Sequence, residues 1–121
     1  IAKSSFAGNV AKAGGGAIYS TNSNATIADS LFTGNVAGQD NNLLKGGGAI
    51  YNDAGGALGI ARTQFVANVT PQGNGGAIYN NAGAAMVISD TTFATNAAGD
   101  FSHIEYGGAI DNQADLLVQR S

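Results

Sequence analysis

The chain has 121 residues and a formal net charge of −3; 22 Ala, 19 Gly and 13 Asn fill 54 positions, and 31 large apolar residues remain to build a core. Interior Gly costs a helix about 1 kcal/mol relative to Ala, and with no Cys and a single His103 there is neither a thiolate site nor a pair of imidazoles, so no metal or other cofactor is expected. Five scattered basic residues give no footprint for nucleic acid, and no apolar run has the length of a membrane-spanning helix, so direct membrane insertion of this segment is not expected either.

From the N-terminus, Ile1 to Lys3 leads into a Phe-x-x-Asn word at Phe6 and Asn9. A Gly-Gly-Ala-Ile word follows at Gly15 to Ile18, with Tyr19 behind it, and then an apolar pair at spacing two, Ala25 and Ile27. The three segments return in the same order as Phe32/Asn35, Gly47 to Tyr51 and Leu58/Ile60, and again as Phe65/Asn68, Gly75 to Tyr79 and Met86/Ile88. The last copy is Phe93/Asn96, Gly107 to Ile110 followed by Asp111, and Leu116/Val118. From each first Gly to the next Phe the spacing is 17, 18 and 18 residues, whereas from each Phe to the next Gly it is 9, 15, 10 and 14. One half of the unit is therefore fixed in length and the other accepts insertions.

Alternate residues of a strand share a face, so each apolar pair predicts a short strand with its apolar face inward. The Gly-Gly-Ala-Ile-Tyr word predicts a second strand, with Ile inward and Ala and Tyr outward, and the Phe segment a third. Three short strands per turn, repeated without helical periodicity, predict an all-β fold: a parallel β-helix (β-solenoid) of about four turns. Ile1-Ala2-Lys3-Ser4 and Val118-Gln119-Arg120-Ser121 fall in the same phase. Residues 1–121 are therefore expected to be a single β-helix segment, an excerpt of a longer solenoid or an open-ended unit that stacks on neighbouring turns or like chains.

Stacking turns in register predicts columns. Ile1, Ile27, Ile60, Ile88 and Val118 form one interior column, and Phe6, Phe32, Phe65 and Phe93 another. Asn9, Asn35, Asn68 and Asn96 form a third at a bend, where Asn tolerates a left-handed backbone and its amide can bond the amides above and below. Lys3, Asp29, Arg62, Asp90 and Arg120 alternate in sign at every step. Burying unpaired Lys or Arg is very costly, so this column is expected to face outward at a corner, where opposite charges about 4.8 Å apart attract.

These words resemble the repeats of polymorphic outer-membrane proteins and related autotransporter passengers of Gram-negative bacteria, over essentially the whole chain. The resemblance implies a right-handed parallel β-helix, extracellular or displayed on the bacterial cell surface, commonly serving adhesion to a host-surface protein or glycan. The fourth copy departs from the pattern, with Asp111 where the first three carry Tyr.

Candidate binding residues are few. Tyr19, Tyr51 and Tyr79, flanked by small Ala, could form an outward aromatic stripe for sugar rings or a partner protein. Two long insertions, at 38–46 and 99–106, leave the unit at the same corner, and insertions in solenoids often build the binding face. Asp100, His103 and Glu105 in the second are the candidate polar binding groups. A catalytic reading is weaker: glycoside hydrolysis needs two carboxyls across the scissile bond, and the candidate pair, Asp111 and Asp115, has no marked nucleophile or base beside it. The column Ser4, Ser30, Thr63, Thr91 and Ser121, considered as an outward hydroxyl row for ice binding, has too irregular a neighbouring column. The expected function is a non-catalytic adhesin or passenger stalk presenting the two loops. The alternatives are an end-to-end filament subunit and, last, a fragment of a polysaccharide-active enzyme.

Overall fold

The computed structural model describes residues 1–38, 46–99 and 106–121. In chain order the strands are β1 (Ser5–Ala7), β2 (Ile18–Ser20), β3 (Asn24–Ala28), β4 (Leu31–Thr33), β5 (Ile50–Asn52), β6 (Ala57–Ala61), β7 (Gln64–Val66), β8 (Val69–Thr70), β9 (Ile78–Asn80), β10 (Ala85–Ser89), β11 (Thr92–Ala94), β12 (Ala97–Ala98), β13 (Ile110–Asn112) and β14 (Asp115–Gln119). Every pairing joins a strand to its counterpart one turn away, and all are parallel. The fold is a β-solenoid with three main sheets. The Phe sheet runs β1-β4-β7-β11, the Ile sheet β3-β6-β10-β14 and the Tyr sheet β2-β5-β9-β13.

Each main sheet holds four strands and so spans three inter-turn steps, slightly fewer than the about four turns reckoned from end to end. The N-terminal segment adds only an isolated bridge, Ala2 to Ala28. A fourth, minor ladder lies beyond the three strands per turn expected from the words: β8 pairs with β12, and bridges join Val10 to Val36 and Val36 to Val69.

The register aligns the words residue on residue. Phe6, Phe32, Phe65 and Phe93 stack with ring centroids 4.7, 4.9 and 5.0 Å apart and planes within 10° of parallel. Ile27, Ile60 and Ile88, with Leu58, Met86, Ile50 and Ile78, fill the rest of the core. Ile1 and Val118, assigned to the same interior column, are 51% and 48% exposed, because each sits in a terminal turn covered on one side only.

Three polar ladders run through this small interior, each hydrogen-bonded from turn to turn within itself. Asn9 Nδ2 donates to Asn35 Oδ1 at 2.8 Å, Asn35 Nδ2 to Asn68 Oδ1 at 2.9 Å, and Asn68 Nδ2 to Asn96 Oδ1 at 2.9 Å. The second proton of Asn35, Asn68 and Asn96 goes to the carbonyls of Phe6, Phe32 and Phe65. The left-handed residue at this bend is the one before Asn: Gly8, Gly34, Ala67 and Thr95 have φ of 53° to 62°. The Asn side chain serves the ladder instead.

A second ladder corrects the reading of the hydroxyl column as outward. Ser30, Thr63 and Thr91 are buried, and each hydroxyl donates to the carbonyl two residues back, at 2.7 to 2.9 Å, while accepting from the backbone N–H of its neighbour one turn away. The third follows the Tyr position: Asn52 Nδ2 donates to Asn80 Oδ1 and Asn80 Nδ2 to Asn112 Oδ1. It is broken at one place. Ser20 stands where an Asn would donate to Asn52 Oδ1, and that buried oxygen accepts no hydrogen bond.

The Gly-Gly word has a separate reason for each glycine. The first takes φ of 65° to 74° in all four copies, a conformation that strains any residue with a Cβ. A Cβ on the second, at Gly48, would collide with the Gly76 carbonyl of the next turn. The bend they make turns Ala49 and Ala77 into the core, fully buried, which corrects their expected outward placement.

Candidate functional site

The two long excursions leave and rejoin the body at one corner, between the minor ladder and the Gly-Gly bend. The short turn from Thr70 to Gly75 closes on itself through Thr70 Oγ1 donating to the Gly75 carbonyl at 3.1 Å. Together with Val69 just before it, this turn anchors both long ones. Ala37 N donates to the Val69 carbonyl and Gly47 N to the Asn74 carbonyl on one side; Gly99 N donates to the Thr70 carbonyl and Tyr106 N to Asn74 Oδ1 on the other. Asp100, His103 and Glu105 lie outside the described residues, as do residues 39–45.

The Tyr column is not an open stripe. Tyr51 and Tyr79 are 4% and 8% exposed; Tyr19, in the first turn, is 46% exposed. The rings stack at 5.0 Å, Tyr19 on Tyr51 and Tyr51 on Tyr79. The glycine bend packs against them: a Cβ on Gly14 would come within 2.7 Å of Tyr51 Cδ2. Burial, followed by the field of Asp53, pushes the Tyr51 phenol up to about 12, and burial likewise raises Tyr79. The sequence could not show this, because alternation places Tyr on the face away from the core without revealing what covers that face.

Asp53 is the polar centre that the words did not mark. Its carboxylate accepts from Tyr19 Oη, from Asn81 Nδ2 at 2.7 Å and from the Ala54 N–H at 2.9 Å, so it ties together three successive turns. The hydrogen bond to Asp53 is also the leading reason the Tyr19 phenol is raised. Asp111 takes the Tyr position opposite Tyr79 and accepts from Gln113 Nε2 at 3.4 Å, while Asp115 begins β14 of the Ile sheet. The two carboxylates once paired by sequence spacing therefore stand on different sheets.

The charge column is outward, at a corner where the backbone is left-handed: Lys3, Asp29, Arg62, Asp90 and Arg120 all have φ of 48° to 52°. Arg62 grips Asp29 through two bonds of 2.7 and 2.9 Å, and Arg120 grips Asp90 identically. These guanidinium contacts hold both carboxyls below their usual range.

The Chlamydia polymorphic membrane protein repeat matches residues 3–21 and 29–53, spans that contain the first two copies of each word. Over those two spans the chain is similar to polymorphic membrane protein repeats. The third and fourth copies, outside the matched spans, stack on the second in unbroken register, so the same words of Phe, Asn and Gly-Gly-Ala-Ile recur at the same place in every turn. No curated protein and no solved structure matches the chain.

Proposed function

We propose that this segment is a non-catalytic, rigid stalk of a cell-surface, autotransporter-type passenger, and that the excursions at 38–46 and 99–106 carry its contacts with a host-surface protein or glycan. The reading rests on one observation above others: both excursions are pinned at each end to the same short segment, Val69 to Gly75, of an otherwise uninterrupted solenoid. Insertions held on one face of a stiff repeat body suit recognition, while the body supplies reach. The repeat family supports a place at the outer membrane or cell surface.

Two arrangements speak against catalysis in the body. The acids of the charge column are spent in bidentate ion pairs, and Asp53 accepts from Tyr19 and Asn81 of the turns on either side as well as from the Ala54 N–H. The test replaces each excursion with a copy of the short Thr70 to Gly75 turn and measures binding to matrix proteins and to a glycan array. Loss of binding with an unchanged unfolding curve is the expected result. Binding that survives both replacements would move recognition to the sheet faces.

A further inference from the structure

The outer face of the Ile sheet has a pattern that the stalk reading does not use. Twelve positions face outward from it in three columns: Asn24, Ala57, Ala85 and Asp115; Thr26, Gly59, Val87 and Leu117; and Ala28, Ala61, Ser89 and Gln119. Asp115 is the single ionisable group among them. Val87 and Leu117 protrude, 47% and 50% exposed, whereas the face around Gly59 is an open depression of about 420 Å³ bordered by Thr26, Ala57, Ala85 and Val87. The hollow is not forced by crowding, since a Cβ on Gly59 would meet only Thr26 Cγ2, at an ordinary 3.6 Å.

We propose that this face pairs with the same face of a second copy, with the two solenoid axes antiparallel. A two-fold axis along the strand direction reverses the order of the turns and keeps each column opposite itself. Val87 of one copy then enters the hollow at Gly59 of the other, Leu117 lies against Thr26, and the lone carboxylate, Asp115, meets the Asn24 amide. At the rim the charge column obeys the same operation. Its order over the four turns is Asp29, Arg62, Asp90, Arg120, so reversal sets Asp29 opposite Arg120 and Arg62 opposite Asp90, each contact one of opposite sign.

The alternative face-to-face arrangement, with the axes parallel, is much poorer. It sets Val87 on Val87 and Gly59 on Gly59, knob on knob and hollow on hollow. Even-numbered alternation of charge and a neighbouring knob and hollow in one column are what an isologous interface requires, because each surface must complement its own image. Four strands of five residues present a patch of only about 19 by 16 Å, well under the about 800 Å² per partner of a standard interface, so pairing of this chain is weak.

Sedimentation equilibrium of the 121-residue chain is expected to show a mass that climbs toward a dimer as the concentration approaches about 1 mM. Gly59→Thr puts a side chain at the floor of the hollow and suits a strand; it is expected to raise the melting temperature yet weaken pairing about ten-fold. Because the chain has no Cys, orientation can be read with a short bis-maleimide: Thr26→Cys mixed with Leu117→Cys should cross-link, and either variant alone should not. A mass that stays monomeric at about 1 mM, or Thr26→Cys that links to itself as readily as to Leu117→Cys, overturns the proposal.

Discussion

The buried amide column and the exposed charge column repeat with the same period and on the same backbone frame, yet they contribute in different ways. Asn35 and Asn68 are fully buried, and each uses both amide protons and its carbonyl oxygen within the stack. Asp29 and Arg62 make better-oriented, charged bonds, but with side chains 37% and 59% exposed. A buried polar group left without a partner bears its full desolvation cost, whereas an exposed ion pair exchanges one solvated state for another. The amide column therefore holds the turns together. The charge column mainly disfavours a slipped register, in which like charges would meet.

The comparison can be tested most forcefully from the apolar side. Phe65→Ala removes the middle of the ring stack and should cost about 3–5 kcal/mol, read by chemical denaturation; a smaller loss would mean that the stack is loosely packed. Asn68→Ala comes next. It strips the Asn35 side-chain amide and the Phe32 carbonyl of partners, at about 1–3 kcal/mol per group left unpaired, and a loss no larger than that of an exposed substitution would place the column in water. Ser20→Asn acts in the opposite direction. By donating to Asn52 Oδ1 it should complete the third ladder and raise stability by about 1 kcal/mol, seen as a higher melting temperature.

The smallest effect is expected for Arg62→Ala, and it should vanish in high salt. The Asp29 carboxyl is held low by Arg62, so this pair contributes above the usual carboxylate range and loses its contribution as the pH falls through the lowered value. The variant and the parent should accordingly converge in acid. A difference that persists at low pH and high salt would assign Arg62 a packing role instead of an electrostatic one.

What the sequence made legible follows from this division. Repetition of Phe, Ile and Asn at a fixed phase reveals columns, and the alternating signs at positions 3, 29, 62, 90 and 120 reveal their register. The third polar ladder was legible as well, since Ser20, Asn52, Asn80 and Asn112 each follow the fifth residue of the Gly-Gly-Ala-Ile-Tyr segment or its variant. It went unread because polar residues beyond a strand ordinarily belong to turns. Burial of Tyr51 and Tyr79 was not legible, because it depends on what covers the rings from adjacent turns, as Gly14 does for Tyr51 and the Tyr51 ring for Tyr79. Nor was the burial of Thr63 and Thr91: a hydroxyl bonded to its own chain two residues back looks, as a letter, like one bonded to water.

The central claim is that residues 26, 33 and 28 apart lie side by side in parallel, turn upon turn. Proton–proton contacts across the Phe sheet measure it most directly. The account predicts backbone contacts between Phe6 and Phe32, Phe32 and Phe65, and Phe65 and Phe93, all in the parallel pattern. Contacts that pair consecutive strands of one turn in antiparallel fashion, such as β3 with β4, would contradict it.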